Sequence, residues 1–286
     1  MTDIQRVGVI GGGLMGAGIA EVNARAGLDV IVSEVSDDAA DAARDRIHGS
    51  LDRGAKKGKL SEDDRDAAKA HLRFTTALDD LADRDLVVEA VAENAELKAS
   101  IFGELDRVVQ SRQAILASNT SSIPIAKLAA ATDRPQQVLG VHFFNPVPVM
   151  KLVELVPSLV TSEETVTRAR TFAAEKLGKE TIRAQDRAGF VVNALLVPYL
   201  LSGVRMYESG FASAEDIDQG MVLGCAHPMG PLTLADLVGL DTLKSIADSM
   251  YDEYKEPLYA APPLLQRMVD AGLMGKKSGH GFYDYR

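Results

Sequence analysis

Of the five histidines in the sequence, His142 stands in the setting best suited to proton transfer. It lies in an apolar run, Val138–Phe143, that leads into Phe143-Phe-Asn-Pro-Val-Pro148, a segment that must turn. The next apolar run, Leu152–Val156, carries Glu154. Positions 142 and 154 are symmetric about 148, so two runs reversing there and pairing antiparallel would set His142 opposite Glu154 on one face. A carboxylate beside an imidazole raises its basicity, fixes its tautomer and stabilises the imidazolium formed on proton uptake. That equips His142 to take a hydroxyl proton while hydride leaves the same carbon. The spacing suits a structural ion pair at a sheet edge equally well. His48 and His71 fall in charged helical stretches and read as solvated. His227 and His280 lie in glycine- or proline-rich loops without an evident partner.

Hydride chemistry needs an acceptor, and Gly11-Gly-Gly13-Leu-Met-Gly16 offers a place for one. The loop follows an apolar strand and opens a helix, the context in which a G-x-G-x-x-G pattern gains meaning. Gly11 would make the turn, Gly13 would let backbone N–H groups approach a pyrophosphate, and Gly16 would seat the helix on the sheet. Leu14 and Met15 lie on the same loop, at the helix N-terminus that offers unpaired N–H groups and a positive dipole end to an anion. Glu34 closes the next strand about 20 residues on, where an acid bonds the adenosine ribose hydroxyls and repels a 2′-phosphate. The cofactor expected is therefore NAD rather than NADP, against the alternative of a glycine-rich turn with no ligand. A second anionic ligand is suggested by Arg46, Ser50, Arg53 and Lys57, which share one helix face, with Lys56 and Lys59 beside them. Basic residues also simply complement the last turn of a helix, and composition alone favours that solvated face.

The elements that must position these groups alternate in the first half of the chain. Strands are expected at Arg6–Ile10, Val30–Glu34, Leu86–Val91, Ala114–Ser118, Val138–Phe143, Leu152–Val156 and Glu180–Arg183. Helices are expected at Leu14–Ala26, Asp37–Lys57, Ala95–Gln110 and Thr165–Lys176. After Asp186 the pattern is helical throughout: Phe190–Tyr207, Ala214–Leu223, Leu232–Val238, Leu243–Tyr254 and Pro263–Ala271, with Pro and Gly at the joints. The fold class is α/β, a Rossmann-type, mostly parallel sheet domain over residues 1–186 followed by a smaller all-helical domain over 187–286. The chain has 286 residues, 46% apolar and 25% charged, with one Cys and no Trp. It needs neither disulfide nor metal to hold a core, and no metal site is expected. A net charge of −10 argues against nonspecific nucleic-acid binding. The lone Cys225 suits a reducing compartment, and no apolar run reaches the roughly 20 residues of a membrane span. With Val7-Gly-Val-Ile10 following so soon after the first residue, no targeting segment is expected, and the reading is cytoplasmic.

Longer motifs carry a resemblance. Gly11-Gly-Gly-Leu-Met-Gly-Ala-Gly-Ile-Ala20, Ser118-Asn-Thr-Ser-Ser122, His142-Phe-Phe-Asn-Pro-Val-Pro-Val-Met-Lys-Leu-Val-Glu154, Gly189-Phe-Val-Val-Asn193, Pro228-Met-Gly-Pro231 and Gly275-Lys-Lys-Ser-Gly-His-Gly-Phe-Tyr283 are similar to the L-3-hydroxyacyl-CoA dehydrogenase family. The likeness runs in order from residue 6 to the C-terminus. The length is most like that of single-function bacterial members acting on 3-hydroxybutyryl-CoA, in fatty-acid and butanoate metabolism. The resemblance implies NAD-dependent oxidation of an L-3-hydroxyacyl-CoA, with His142 as base, Glu154 as its partner, and Ser121 and Asn193 bonded to substrate oxygens. Asn145 would support the same site. Glu93 and Lys98 would line the nicotinamide side, and Ser50 and Lys57 would meet the adenosine-phosphate end of CoA. It also implies substrate held between the domains and a homodimer through the helical one.

Each role has a plainer alternative. Ser121 and Asn119 could cap a helix starting near Ile123, Asn193 could satisfy local backbone, and Glu93 with Lys98 could be a surface pair. Rival functions are a dehydrogenase of a free hydroxy acid and a noncatalytic NAD-binding structural or sensor protein on the same fold. The first would call for a lysine where Asn193 stands. The second has no need of His142, Glu154, Ser121 and Asn193 together.

Overall fold

A computed structural model describes residues 4–286. Its eight strands are β1 (Arg6–Ile10), β2 (Asp29–Ser33), β3 (Leu72–Thr75), β4 (Leu86–Glu89), β5 (Ile115–Ser118), β6 (Val138–Phe143), β7 (Leu152–Pro157) and β8 (Glu180–Arg183), in the order β3-β2-β1-β4-β5-β6-β7-β8. Every neighbouring pair is parallel except β6 with β7. From β1 the chain builds first toward β2 and β3, then crosses to β4 on the other side. That reversal opens a crevice beyond the carboxyl ends of β1 and β4, the place where open α/β sheets bind ligands. Strands β4, β5 and β6 are buried along their whole length, which is why they read as continuous apolar runs rather than alternating ones.

Among the described residues, six α-helices belong to this unit: α1 (Leu14–Arg25), α2 (Asp37–Lys56), α3 (Glu62–Ala70), α4 (Ala95–Val108), α5 (Ile125–Ala129) and α6 (Glu163–Glu175). In α2 the buried residues Ala40, Ala43, Ile47 and Leu51 recur at helical spacing, the Ser36 hydroxyl caps Ala39 N–H, and Asp37 and Asp38 face the positive end of the dipole. Ser61, Asn94 and Ser162 cap α3, α4 and α6 in the same way. Helix α1 differs: Gly13 precedes it, no side chain caps it and its first turn holds no acid. Neither α3 nor β3 is among the elements expected from the sequence. Only Ala68 of α3 is buried and β3 is a sheet edge with one buried residue, so neither leaves a hydrophobic period to follow.

The chain divides into two compact units at Asp186 and Arg187. The second unit holds α7 (Val192–Glu208), α8 (Ala214–Cys225), α9 (Pro231–Val238), α10 (Leu240–Tyr254) and α11 (Pro263–Asp270), packed around Leu200, Leu201, Leu232, Leu243 and Met250. Its only β pairings among the described residues are the isolated bridges Gly275 to His280 and His280 to Asp284. The last residues are tied to the helices by buried acids. Asp236 accepts from the N–H groups of Phe282 and Tyr283, both at 3.0 Å, and from the Tyr285 hydroxyl at 3.1 Å. Asp218 accepts from Leu232 N–H at 2.7 Å, Thr233 N–H at 2.8 Å and the Tyr283 hydroxyl at 2.9 Å.

Three histidines depart from their sequence reading, His280 among them, with its Nδ1 3.8 Å from Asp284 Oδ1. His48 is half-buried with its ring edge toward Phe74, and burial lowers its pKa. His227 does have a partner, the Tyr199 hydroxyl, 3.1 Å from its Nδ1. Among the described residues no helix is long and apolar enough to cross a membrane, and no cluster of metal-ligating side chains occurs.

Candidate active site

The glycine loop shows which of its residues serve the fold and which leave room. Gly11 takes a φ of +87° and donates to Ser33 O at 3.0 Å, bending the chain off β1. A Cβ at Gly16 would lie 1.7 Å from Gly11 O, so helix and loop touch there. Gly12, an unspecified position of the motif, is equally confined: a Cβ would sit 2.3 Å from that of Ala43 on α2. A Cβ at Gly13, by contrast, would meet nothing within 4 Å, and Gly13 and Leu14 are exposed. The open backbone at Gly13, next to an uncapped helix end without an acid, fits a pyrophosphate. Glu34 stands beyond β2 with Oε1 accepting from Gly12 N–H at 2.5 Å. Val35 beside it is 92% exposed, an apolar surface for an adenosine. These residues fit NAD.

Across the switch point lies a polar network centred on a residue that the sequence reading missed. Glu89 ends β4 fully buried, and its Oε1 accepts from Lys98 Nζ and from Val91 N–H, each at 2.6 Å. Its Oε2 accepts from the Ser118 hydroxyl at the end of β5, at 2.7 Å. Lys98 is no surface residue: it is 1% exposed, lies 3.3 Å from Glu93 Oε2 and also donates to Val91 O at 3.3 Å. Glu93 Oε1 accepts from the Thr120 hydroxyl at 2.5 Å, from the N–H groups of Ser121 and Ser122 at 3.1 and 3.2 Å, and from the Ser122 hydroxyl at 3.0 Å. Burial pushes the Glu93 carboxyl up, but Lys98 and these hydrogen bonds outweigh it and hold the pKa below the usual carboxylate range. The signal for Glu89 was an acid inside the apolar run Leu86–Val91, where a lone charge needs a partner.

His142 and Glu154 meet as the symmetry about residue 148 requires. They are direct partners in the β6–β7 register, and Nδ1 lies 2.7 Å from Glu154 Oε2. Glu154 is fully buried and His142 is 6% exposed, with the Phe144 ring edge-on at 4.7 Å. A carboxylate on Nδ1 selects the tautomer that carries its proton there and the basic lone pair on Nε2. Asn119, just past β5, ties that strand's end to the end of β6, its Oδ1 accepting from Phe143 N–H at 2.9 Å. Asn145 is exposed on the connecting loop. That loop is braced by buried Lys179, which donates to Val147 O and Met150 O at 2.6 Å each, and by Gly18 of α1, where a Cβ would crowd Val147 at 2.8 Å.

The capping alternative for Ser121 and Asn119 does not hold. Helix α5 starts at Ile125, and Asp186 accepts from its N–H groups of Ile125 and Ala126 at 2.7 and 2.8 Å. Ser121 is instead half-buried on the turn that Glu93 gathers. On α2, Arg46 donates to Gly12 O at 2.6 Å, linking the basic stripe to the glycine loop. Ser50 is half-buried and Lys57, the residue that closes α2, is exposed. Asn193 is buried in the first turn of α7, in the second unit.

Comparison with known proteins matches both units. Residues 6–187 match the 3-hydroxyacyl-CoA dehydrogenase NAD-binding domain and residues 189–285 the C-terminal domain of the same family. The chain is 62% identical over 282 residues to 3-hydroxybutyryl-CoA dehydrogenase of Mycobacterium tuberculosis, covering 99% of each. It is 43% identical over 290 residues to the mitochondrial hydroxyacyl-coenzyme A dehydrogenase of Homo sapiens, covering 99% of this chain and 92% of the relative. The crystal structure of (S)-3-hydroxybutyryl-CoA dehydrogenase from Ralstonia eutropha superposes with a TM-score of 0.93 at 44% identity, covering 99% of this chain and 100% of that one. The chain belongs to the 3-hydroxyacyl-CoA dehydrogenase family.

Proposed function

We propose that the protein catalyses the reversible, NAD-dependent oxidation of an L-3-hydroxyacyl-CoA to the 3-oxoacyl-CoA, with the four-carbon 3-hydroxybutyryl ester as substrate. The observation that carries this is the buried His142–Glu154 pair at the carboxyl edge of the sheet that also presents the glycine loop. NAD, when bound, supplies the acceptor for the C3 hydride. The remaining work falls to side chains. His142 Nε2 takes the hydroxyl proton in oxidation and returns it in reduction, while Glu154 holds the ring and stabilises the imidazolium.

Ser121 and Asn193 bond the substrate oxygens, as the family likeness implies, and Asn145 supports the same site. Gly11, Gly13, Leu14, Met15 and Gly16 form the phosphate loop, and Glu34 binds the ribose and disfavours NADP. Glu93 borders the nicotinamide side. Lys98, hydrogen-bonded to Glu89 and Val91 O and ion-paired with Glu93, acts from behind by holding Glu93. Ser50 and Lys57 meet the phosphate end of CoA. Residues 1–186 bind the cofactor, and 187–286 serve substrate binding and a homodimer. Exposed Leu195, Phe211 and Leu223 supply apolar surface for the latter. The assignment is to a cytoplasmic enzyme.

The test follows NADH absorbance with purified protein and acetoacetyl-CoA, with NADPH and free acetoacetate as controls. NADH loss confined to the CoA ester and abolished in His142→Ala is expected. NADH binding without turnover of any acyl-CoA would overturn the proposal and leave a sensor or structural protein.

A further inference from the structure

The network around Lys98 carries a charge that bracing the fold does not require. Glu89 and Glu93 act only as acceptors. Glu89 receives hydrogens from Lys98 Nζ, Val91 N–H and the Ser118 hydroxyl, and Glu93 receives them from Thr120, Ser121 and Ser122. Groups that receive hydrogens on every side are carboxylates, and a lysine amine ringed by three acceptors, Glu89 Oε1, Val91 O and Glu93 Oε2, is an ammonium. Two anions and one cation leave one net negative charge at the carboxyl ends of β4 and β5, with Glu89 and Lys98 shielded from water. A neutral arrangement would brace the same loops with a single carboxylate, so the second acid stands out.

The two redox states of NAD differ by one unit of charge, located on the nicotinamide ring. The fold indicates where that ring belongs. Glu34 beyond β2 marks the adenosine side and the start of α1 marks the pyrophosphate, so the other half of the cofactor extends across the switch point toward β4 and β5. A fixed negative charge in a poorly hydrated site interacts more strongly with a cationic ring than with a neutral one.

We propose that Glu89, Lys98 and Glu93 form a charge set that favours the oxidised cofactor over the reduced one, with Glu89 setting the balance as a positioning residue that touches no ligand. This rests on the NAD reading above. It adds a function for Glu89 and a redox preference for the site.

The experiment measures dissociation constants for both redox states in the wild type, Glu89→Gln and Glu93→Gln. NADH is titrated by its own fluorescence, which a chain without Trp leaves uncluttered, and NAD+ by displacement of NADH. Glu89→Gln keeps the shape and removes the charge. The ratio of the NAD+ constant to the NADH constant is expected to rise on the order of 10-fold, the effect of one unit charge across about 10 Å at an effective dielectric constant of about 20. The same factor raises the potential of the bound two-electron couple by ~30 mV. Glu93→Gln moves the ratio in the same direction, and the double variant, which leaves Lys98 as a lone cation, moves it further.

A merely structural role weakens both redox states together, so a constant ratio overturns the proposal even if affinity falls. If Glu89→Gln does not fold, Glu93→Gln decides by the same ratio, because its side chain retains 30% exposure and water reaches the position that loses its charge. Wild type that binds neither redox state would instead remove the NAD reading itself.

Discussion

Each unit gathers a pair of acids into a hydrogen-bond network, and the two pairs are used differently. In the second unit, Asp218 and Asp236 are taken up by backbone N–H groups and tyrosine hydroxyls of the same chain, and together they fasten residues 282–285 to α8 and α9. No cation neutralises them in these contacts. In the first unit, Glu89 is likewise buried, but it shares a lysine with Glu93 and sits at the ends of strands flanking the switch point. Glu93 then collects the Thr120–Ser122 turn that carries a candidate substrate ligand. The difference lies in what surrounds the acids. Where chain donors saturate a carboxylate, it holds the fold; where a shared cation and a strand end beside the switch point adjoin it, it can address a ligand.

Substitutions can break that comparison in order of size. His142→Ala should lower kcat/KM by at least about 10³-fold, since a general base alone contributes roughly 10²–10⁴ and the oriented pair is lost with it. Thermal unfolding should show the folded protein intact, and a fall in activity matched by loss of folded protein would reassign the pair to structure. A second contrast lies within the glycine loop. Gly16→Ala should destabilise the first unit, because its Cβ would press on Gly11 O. Gly13→Ala meets no chain atom and should leave unfolding unchanged while weakening NADH binding by about 10-fold. Equal effects of the two on stability would mean that Gly13 serves the fold.

What the sequence made legible follows the same division. The register of His142 with Glu154 was readable because a turn of fixed centre and a period of two leave one solution. The glycine loop was readable because strand, turn and helix are contiguous. Glu89 was hidden, since its partners Lys98 and Ser118 are brought to it by tertiary structure rather than by spacing. Asp218 and Asp236 were hidden for a stronger reason. Their partners include backbone N–H groups, which have no residue type to recognise, and the C-terminal segment reaches Asp236 from 46 positions away. Helix α3 and strand β3 escaped because they bury almost nothing. The basic stripe on α2 was visible as spacing, yet the bond from Arg46 to Gly12 O became clear only in the fold.

Asp236→Asn tests the structural side. An amide cannot accept from two N–H groups and a hydroxyl with both of its heavy atoms, so one donor is left unsatisfied, at about 1–3 kcal/mol. The expected outcome is a lower unfolding midpoint with NADH affinity unchanged. A loss of NADH affinity in the folded variant would erase the distinction between the two acid pairs.

The smallest effect has the most specific sign. Burial holds the Asp236 carboxyl above the usual range even though Phe282, Tyr283 and Tyr285 donate to it, whereas Glu93 is held below that range. Their contributions to stability must therefore run oppositely with pH. For Glu93 the folded pKa lies below the unfolded one, so its stabilisation is complete above an unfolded value of about 4.3 and is lost as pH falls through the folded pKa. For Asp236 the folded pKa lies above an unfolded value of about 3.9, so ionisation in the folded state is unfavourable at neutral pH, and that penalty is relieved as pH falls through the folded pKa. Solvent at the Glu93 side chain, 30% exposed, screens its share to well under about 1 kcal/mol. Unfolding midpoints between pH 7 and pH 3 should show the advantage of wild type over Glu93→Gln shrinking on acidification. The advantage of wild type over Asp236→Asn should grow over the same range, because protonation relieves the acid and does nothing for the amide. Parallel slopes for the two variants would mean that the acid pairs respond to protons alike.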